Sequence, residues 1–115
     1  MIIDAHAHVW PDHIAAVVLA TRPSGLDSHF DGTLTGLLTT MDAAGIDLSM
    51  ALAVANKAST VLRTNEWIGQ IPRDRLIPAG TVHPGLSPEE NVASLRDNGI
   101  RAVKLHPLFQ DVAFA

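Results

Sequence analysis

Cysteine and tyrosine are absent from this 115-residue chain, and aromatic residues make up only 4% of it. No disulfide, thiolate metal ligand or cysteine nucleophile is available, so any chemistry must come from six histidines and twelve carboxylates. Cations are scarce too. Eight Lys and Arg are scattered against twelve Asp and Glu, for a formal charge of -4. That leaves no basic stripe to neutralise a run of phosphates, so nucleic acid is not an expected partner. Long apolar runs are also missing. Runs such as Met50 to Ala55 are far too short to cross a bilayer, and Met1-Ile2-Ile3-Asp4 lacks the basic and apolar regions of a signal peptide. A cytoplasmic protein with no membrane partner is the expectation. What is present is globular: 47% hydrophobic and 17% charged residues, no low-complexity tract, and a length that suits one domain with one core.

Ile2 to His8 alternates as a strand, with Ile3, Ala5 and Ala7 on one face and Ile2, Asp4, His6 and His8 on the other. A long connection follows, with a short helix from Asp12 to Ala20 after Pro11 and a Pro23-Ser24-Gly25 breaker. Leu34, Leu37, Leu38 and Met41 then recur at helical spacing, and Gly45 stands where a glycine ends a helix. Leu48 to Val54 reads as a strand buried on both faces. A second amphipathic helix spans Ala58 to Ile71 and buries Val61, Leu62 and Ile68. Leu76 to Val82 is a third strand. Ser87-Pro88-Glu89-Glu90 is a capping box with proline at the first helical position, opening a helix that buries Val92 and Leu95 and ends at Asn98-Gly99. Ile100 to Leu105 is the fourth strand, and it runs into His106-Pro107.

Strands alternating with helices of about 12 residues imply right-handed βαβ units and a parallel sheet. Such a sheet is either doubly wound or closed into a (β/α)8 barrel. The first strand is not followed by the glycine fingerprint of a dinucleotide-binding sheet, since Ala5-His6-Ala7-His8-Val9-Trp10 contains no glycine. Polar residues gather instead at the C-terminal ends of strands: His6 and His8, then His83, then Lys104 and His106. A barrel keeps its active site at that end.

His6 and His8 lie two apart on one strand, so their imidazoles leave the same face about 6.6 Å apart along the backbone. They can converge on one divalent ion, for which neutral imidazole is a good ligand. The spacing alone also fits ordinary polar residues at a strand end. Its place at the end of the first strand, two residues after an inward-facing Asp4, is what favours a metal.

Ile3-Asp4-Ala5-His6-Ala7-His8 resembles the first-strand Asp-x-His-x-His motif of the amidohydrolase superfamily, and Val103-Lys104-Leu105-His106-Pro107 resembles the fourth-strand Lys-Leu-His-Pro segment of its amidohydrolase-related branch. That branch holds metal-dependent hydrolases and decarboxylases similar to aminocarboxymuconate semialdehyde decarboxylase. The resemblance runs from the first strand to the fourth. It implies an α/β fold, namely the N-terminal half, strands 1 to 4, of a (β/α)8 TIM-type barrel, with His6 and His8 as ligands of a divalent metal, usually zinc. It further implies that the remaining site residues, including the main acid/base, fall on strands beyond the fourth, and so beyond residue 115.

The function implied is hydrolysis of an amide, ester or lactone bond by metal-activated water. Decarboxylation of an unsaturated or aromatic acid on the same scaffold is the nearest alternative, and a non-catalytic half-barrel is a different one. Lys104 and His106 share a face of the fourth strand, as site-lining groups or as a satisfied core pair. The lysine is expected to face the site and pair with the carboxylate of a small-molecule substrate rather than bridge two metals. His83 is a substrate-site candidate that also suits a plain loop role, and Trp10 either lines the pocket mouth or caps the core. Open edges and inner helix faces lead to the expectation that the chain alone is inactive, and that it self-associates or belongs to a larger chain.

Overall fold

The structure is a computed structural model that describes residues 1–22 and 27–113, so the expected Pro23-Ser24-Gly25 breaker lies outside the described residues. The elements run β1 (Ile3–His8), α1 (Asp12–Ala20), α2 (Leu34–Ala44), β2 (Leu48–Leu52), α3 (Ala58–Gly69), β3 (Leu76–Thr81), α4 (Pro88–Asp97), β4 (Ala102–Lys104) and α5 (Pro107–Gln110). The four strands form one parallel sheet in the order β1-β2-β3-β4. Parallel neighbours in sequence order require every crossover to pass over the sheet, and right-handed crossovers all fall on one face. None of the helices among the described residues is long and apolar enough to cross a membrane.

Local signals place the helix ends. Thr33 caps α2 by accepting from the Gly36 N–H, and Gly45 closes it at φ 68°, a conformation that glycine adopts without penalty. At α4 the Ser87 hydroxyl accepts from the Glu90 N–H while the Glu90 carboxylate accepts from the Ser87 N–H, which is the expected capping box.

The core lies between the sheet and α2, α3 and α4. Ala7, Ala51 and Leu76 from the strands meet Leu37, Met41 and Ile68 from the helices, with Ile100 beside them. Close approach at β3 depends on Gly80, where a Cβ would fall 2.7 Å from both the Asn65 amide oxygen and a Leu95 methyl. Asn65 is fully buried, and it accepts from the Thr81 N–H while donating to the Thr81 carbonyl and the Ser94 hydroxyl.

Five expectations are corrected. Leu62 is exposed rather than buried, because Val61, Asn65 and Ile68 at i, i+4 and i+7 set the inward face of α3, about 100° away. For the same geometric reason Val92 is exposed on α4, where Ser94 is buried and Leu95 packs against the core. The third helix ends at Gly69, two residues early, since Pro72 disfavours helical backbone just before it. The fourth strand holds only Ala102–Lys104, because the Ile100 N–H returns to the Leu95 carbonyl and its side chain plugs the core after the Gly99 turn. In β1 a bulge interrupts the alternation: Asp4 is in register with Ser49 and Ala7 with Ala51, three residues against two. Ser49 and Ala51 share the helix-facing side of β2, so Asp4 leaves the face expected for it.

Candidate functional site

The sheet's C-terminal edge gathers the polar groups. β1 ends at His6 and His8, and the bulge between Asp4 and Ala7, which holds His6, is stabilised by the Asp4 carboxylate, which accepts from the His6 N–H at 2.9 Å. Past the bulge, His8 is in register with Leu52, Leu52 with Ala79, and Ala79 with Ala102. These residues, and Lys104 two further along β4, point to the face of the sheet away from α2, α3 and α4.

Here the two imidazoles converge. Nε2 of His6 lies 3.0 Å from Nε2 of His8, with the rings edge to face. Nδ1 of His8 lies 3.1 Å from the Leu52 carbonyl oxygen, which can only accept, so Nδ1 carries the proton and Nε2 of neutral His8 presents a lone pair. Trp10 stacks on the His8 ring at 5.9 Å and 18°. A nitrogen oriented through a carbonyl on its far side is the arrangement metal-ligating histidines use.

Burial pushes the His8 pKa below its ordinary value of 6.5, the hydrogen bond to Leu52 pulls it back up, and electrostatic interaction with His6, Lys104 and His106 lowers it further. Neutral imidazole is the form a cation needs. Two nitrogens sharing one ion at about 2.0–2.1 Å each lie about 2.9–3.4 Å apart, so the donor pair fits a divalent metal. Among the described residues no third His, Cys, Asp or Glu joins them in a metal-holding group.

Lys104 and His106 sit within electrostatic reach of His8, so the structure brings four of the six predicted site residues, with Trp10 as the fifth, to one end of the sheet. His106 is held in detail: its ring stacks on Phe109 at 4.1 Å, and its N–H donates to the Gln110 amide oxygen at 2.7 Å. His83 is engaged elsewhere. Its Nδ1 accepts from the Gly85 N–H, and its backbone pairs with the Asn91 amide on α4, the hydrogen bonds of a β3–α4 turn.

Gln110 was not anticipated from sequence. Its buried amide donates to the Ala55 and Val82 carbonyls and the Thr81 hydroxyl, and so ties the His106 backbone to the ends of β2 and β3. A signal existed: Gln110 stands four residues after His106 across Pro107, the spacing of one helical turn opened by proline. Compared with models of known protein families, with curated proteins and with solved structures, the chain gives no match.

Proposed function

We propose that this chain forms the first half of an amidohydrolase-type (β/α)8 barrel and serves metal-dependent hydrolysis of an amide, ester or lactone bond in a small acidic substrate. The His6–His8 pair carries this assignment: two imidazole nitrogens 3.0 Å apart, one of them oriented through the Leu52 carbonyl. Four parallel strands in sequence order suit the first half of such a barrel, and the cluster stands at the strand end where barrels keep their chemistry.

A bound divalent cation, zinc by donor type, would supply Lewis-acid polarisation and lower the pKa of water. His8 keeps its proton on Nδ1 and its lone pair on Nε2, and burial holds it neutral. Trp10 fixes one side of the ring. Lys104 makes the surroundings positive, which favours a substrate carboxylate, its ammonium acting as a compact point charge. A catalytic zinc takes about three protein ligands, so the assignment requires at least one donor beyond the pair.

Calorimetric titration of the whole 115-residue chain with zinc, backed by elemental analysis, tests this. Binding is expected to be lost in His6→Ala and in His8→Ala and kept in His83→Ala. Equal zinc affinity in wild type and both ligand variants would overturn it.

A further inference from the structure

We infer that Asn98 is a site of spontaneous modification, where the chain cyclises on itself and gains a carboxylate when the turn after α4 opens. Arg73 is the latch that sets the rate. Of the four asparagines only Asn98 precedes a glycine, the others being followed by Lys57, Glu66 and Val92. Glycine has no side chain to shield its amide nitrogen, so the Gly99 nitrogen can attack the side-chain carbonyl carbon of Asn98. In that step the N–Cγ bond forms, the Cγ–Nδ2 bond breaks, and ammonia leaves with the proton of the attacking amide. Water then opens the five-membered imide at either carbonyl. The product is aspartate or isoaspartate, the latter with the backbone rerouted through Cγ.

The fold asks for both residues of the pair. Gly99 sits at φ 63°, and a Cβ there would lie 3.4 Å from Nη2 of Arg73, so glycine suits both the backbone and the guanidinium beside it. Asn98 donates from Nδ2 to the Ser94 carbonyl at 2.8 Å, an acceptor near the end of α4 that an aspartate carboxylate could not serve. The same contacts hold the pair shut. The Gly99 N–H donates to the Arg96 carbonyl at 3.0 Å, and the Gly99 and Asn98 carbonyls accept from Nη1 and Nη2 of Arg73 at 2.9 and 3.0 Å. With ψ at 7° the Gly99 nitrogen is turned away from the Asn98 side chain, so ring closure needs rotation about the Cα–C bond. That rotation waits on local opening of the turn. The product suits the fold less well. A Cβ on Gly69 of α3 would lie 2.8 Å from the Asn98 Cβ and 2.9 Å from its carbonyl oxygen, which leaves little room for the extra backbone methylene of isoaspartate. A carboxylate at position 98 would also face the Ser94 carbonyl, acceptor against acceptor. Each opening therefore carries a chance of fixing the turn open, at the end of the sheet away from His6 and His8.

Incubation of the 115-residue chain in mildly alkaline buffer tests this, with peptide mass spectrometry to follow loss of the Asn98 amide and to separate aspartyl from isoaspartyl peptides. The chain unfolded in urea is expected to react roughly tenfold or more faster than the folded chain, with isoaspartate beside aspartate in the product. Folded Arg73→Ala is expected to react about fivefold faster than wild type. Arg73→Lys, whose single ammonium cannot span three carbonyls, is expected to fall between them. Thr33→Ala removes the cap of α2 at a similar cost in global stability and is expected to leave the rate at Asn98 unchanged. Circular dichroism checks that each variant folds, and should Arg73→Ala not fold, Arg73→Lys carries the comparison. Equal rates in wild type and the folded Arg73 variants, equal acceleration by Thr33→Ala, or aspartate without isoaspartate would overturn the proposal. No readout here involves the histidines, so this outcome and that of the zinc titration are independent.

Discussion

The two ends of this sheet hold positive side chains in opposite ways. At the N-terminal end of the strands, Arg73 donates to the Gly69, Asn98 and Gly99 carbonyls, and Arg75 donates to the Ile46 and Asp47 carbonyls and pairs with Asp42. Those guanidiniums close the ends of α2, α3 and α4, whose last carbonyls have no intrahelical partner. At the C-terminal end, neutral side-chain amides do the clamping, while His8 gives Nδ1 to the Leu52 carbonyl and keeps Nε2 toward His6. Gln110 satisfies three acceptors and one donor there, and His6, Lys104 and His106 all act on His8 through space. A cation spent on backbone carbonyls is structural. One kept clear of them stays available to a ligand.

Removing the clamp at each end sharpens the contrast. Gln110→Ala should cost most, about 2–4 kcal/mol, because it strands the Ala55 and Val82 carbonyls past the ends of β2 and β3 and frees the His106 backbone. Urea denaturation measures the loss, and the histidine resonances of the folded fraction should shift for His106. Arg73→Ala should cost about 1 kcal/mol, since its three acceptors are solvent-accessible helix ends, and it should leave zinc affinity unchanged. A change in zinc binding on Arg73→Ala would break the division between the ends.

The smallest effect is on pH dependence. The His8 pKa is lowered on folding, first by burial, so the unfolded chain takes up this proton more readily than the folded one. The contribution to stability is complete above about pH 6.5 and is lost as pH falls from there through the folded value. Solvent screens a half-exposed ring, which keeps the effect below about 1 kcal/mol. Denaturant midpoints at pH 7.5 and 5.5 should differ by less in His8→Leu than in wild type.

Much of the fold was legible because its signals are local. The capping box at Ser87, the Gly45 terminator and the helix of Asp12–Ala20 all stand where periodicity and cap residues put them, and β2 opens at the expected Leu48 but ends at Leu52, two residues before the expected Val54. The histidine pair was legible as well, because a spacing of two on a strand sets both side chains on one face, and the bulge lies before His8 and leaves the imidazoles converging. The hydrogen bonds His83 makes within its own turn were not, because Asn91 returns to it from α4. The exposure of Leu62 and Val92 was missed for a related reason: apolar residues were assigned to the inward face, and buried Asn65 and Ser94 took those positions by pairing with each other.

Sequence alone determined the alternation of strands and helices, the bounds of α1 and the caps of α2 and α4, and which residue types are on hand for chemistry, because each of these depends on neighbours within about one helical turn or one strand. Tertiary structure decided the rest. It chose the bulge that turns Asp4 from the histidine face, the Leu52 carbonyl that sets the His8 tautomer from 44 residues away, and the seat of Gln110 under the Ala55 carbonyl at a separation of 55. Those choices hang on backbone groups whose partners are settled only when the strands pair, and no local pattern of side chains encodes which carbonyl will be left facing which ring.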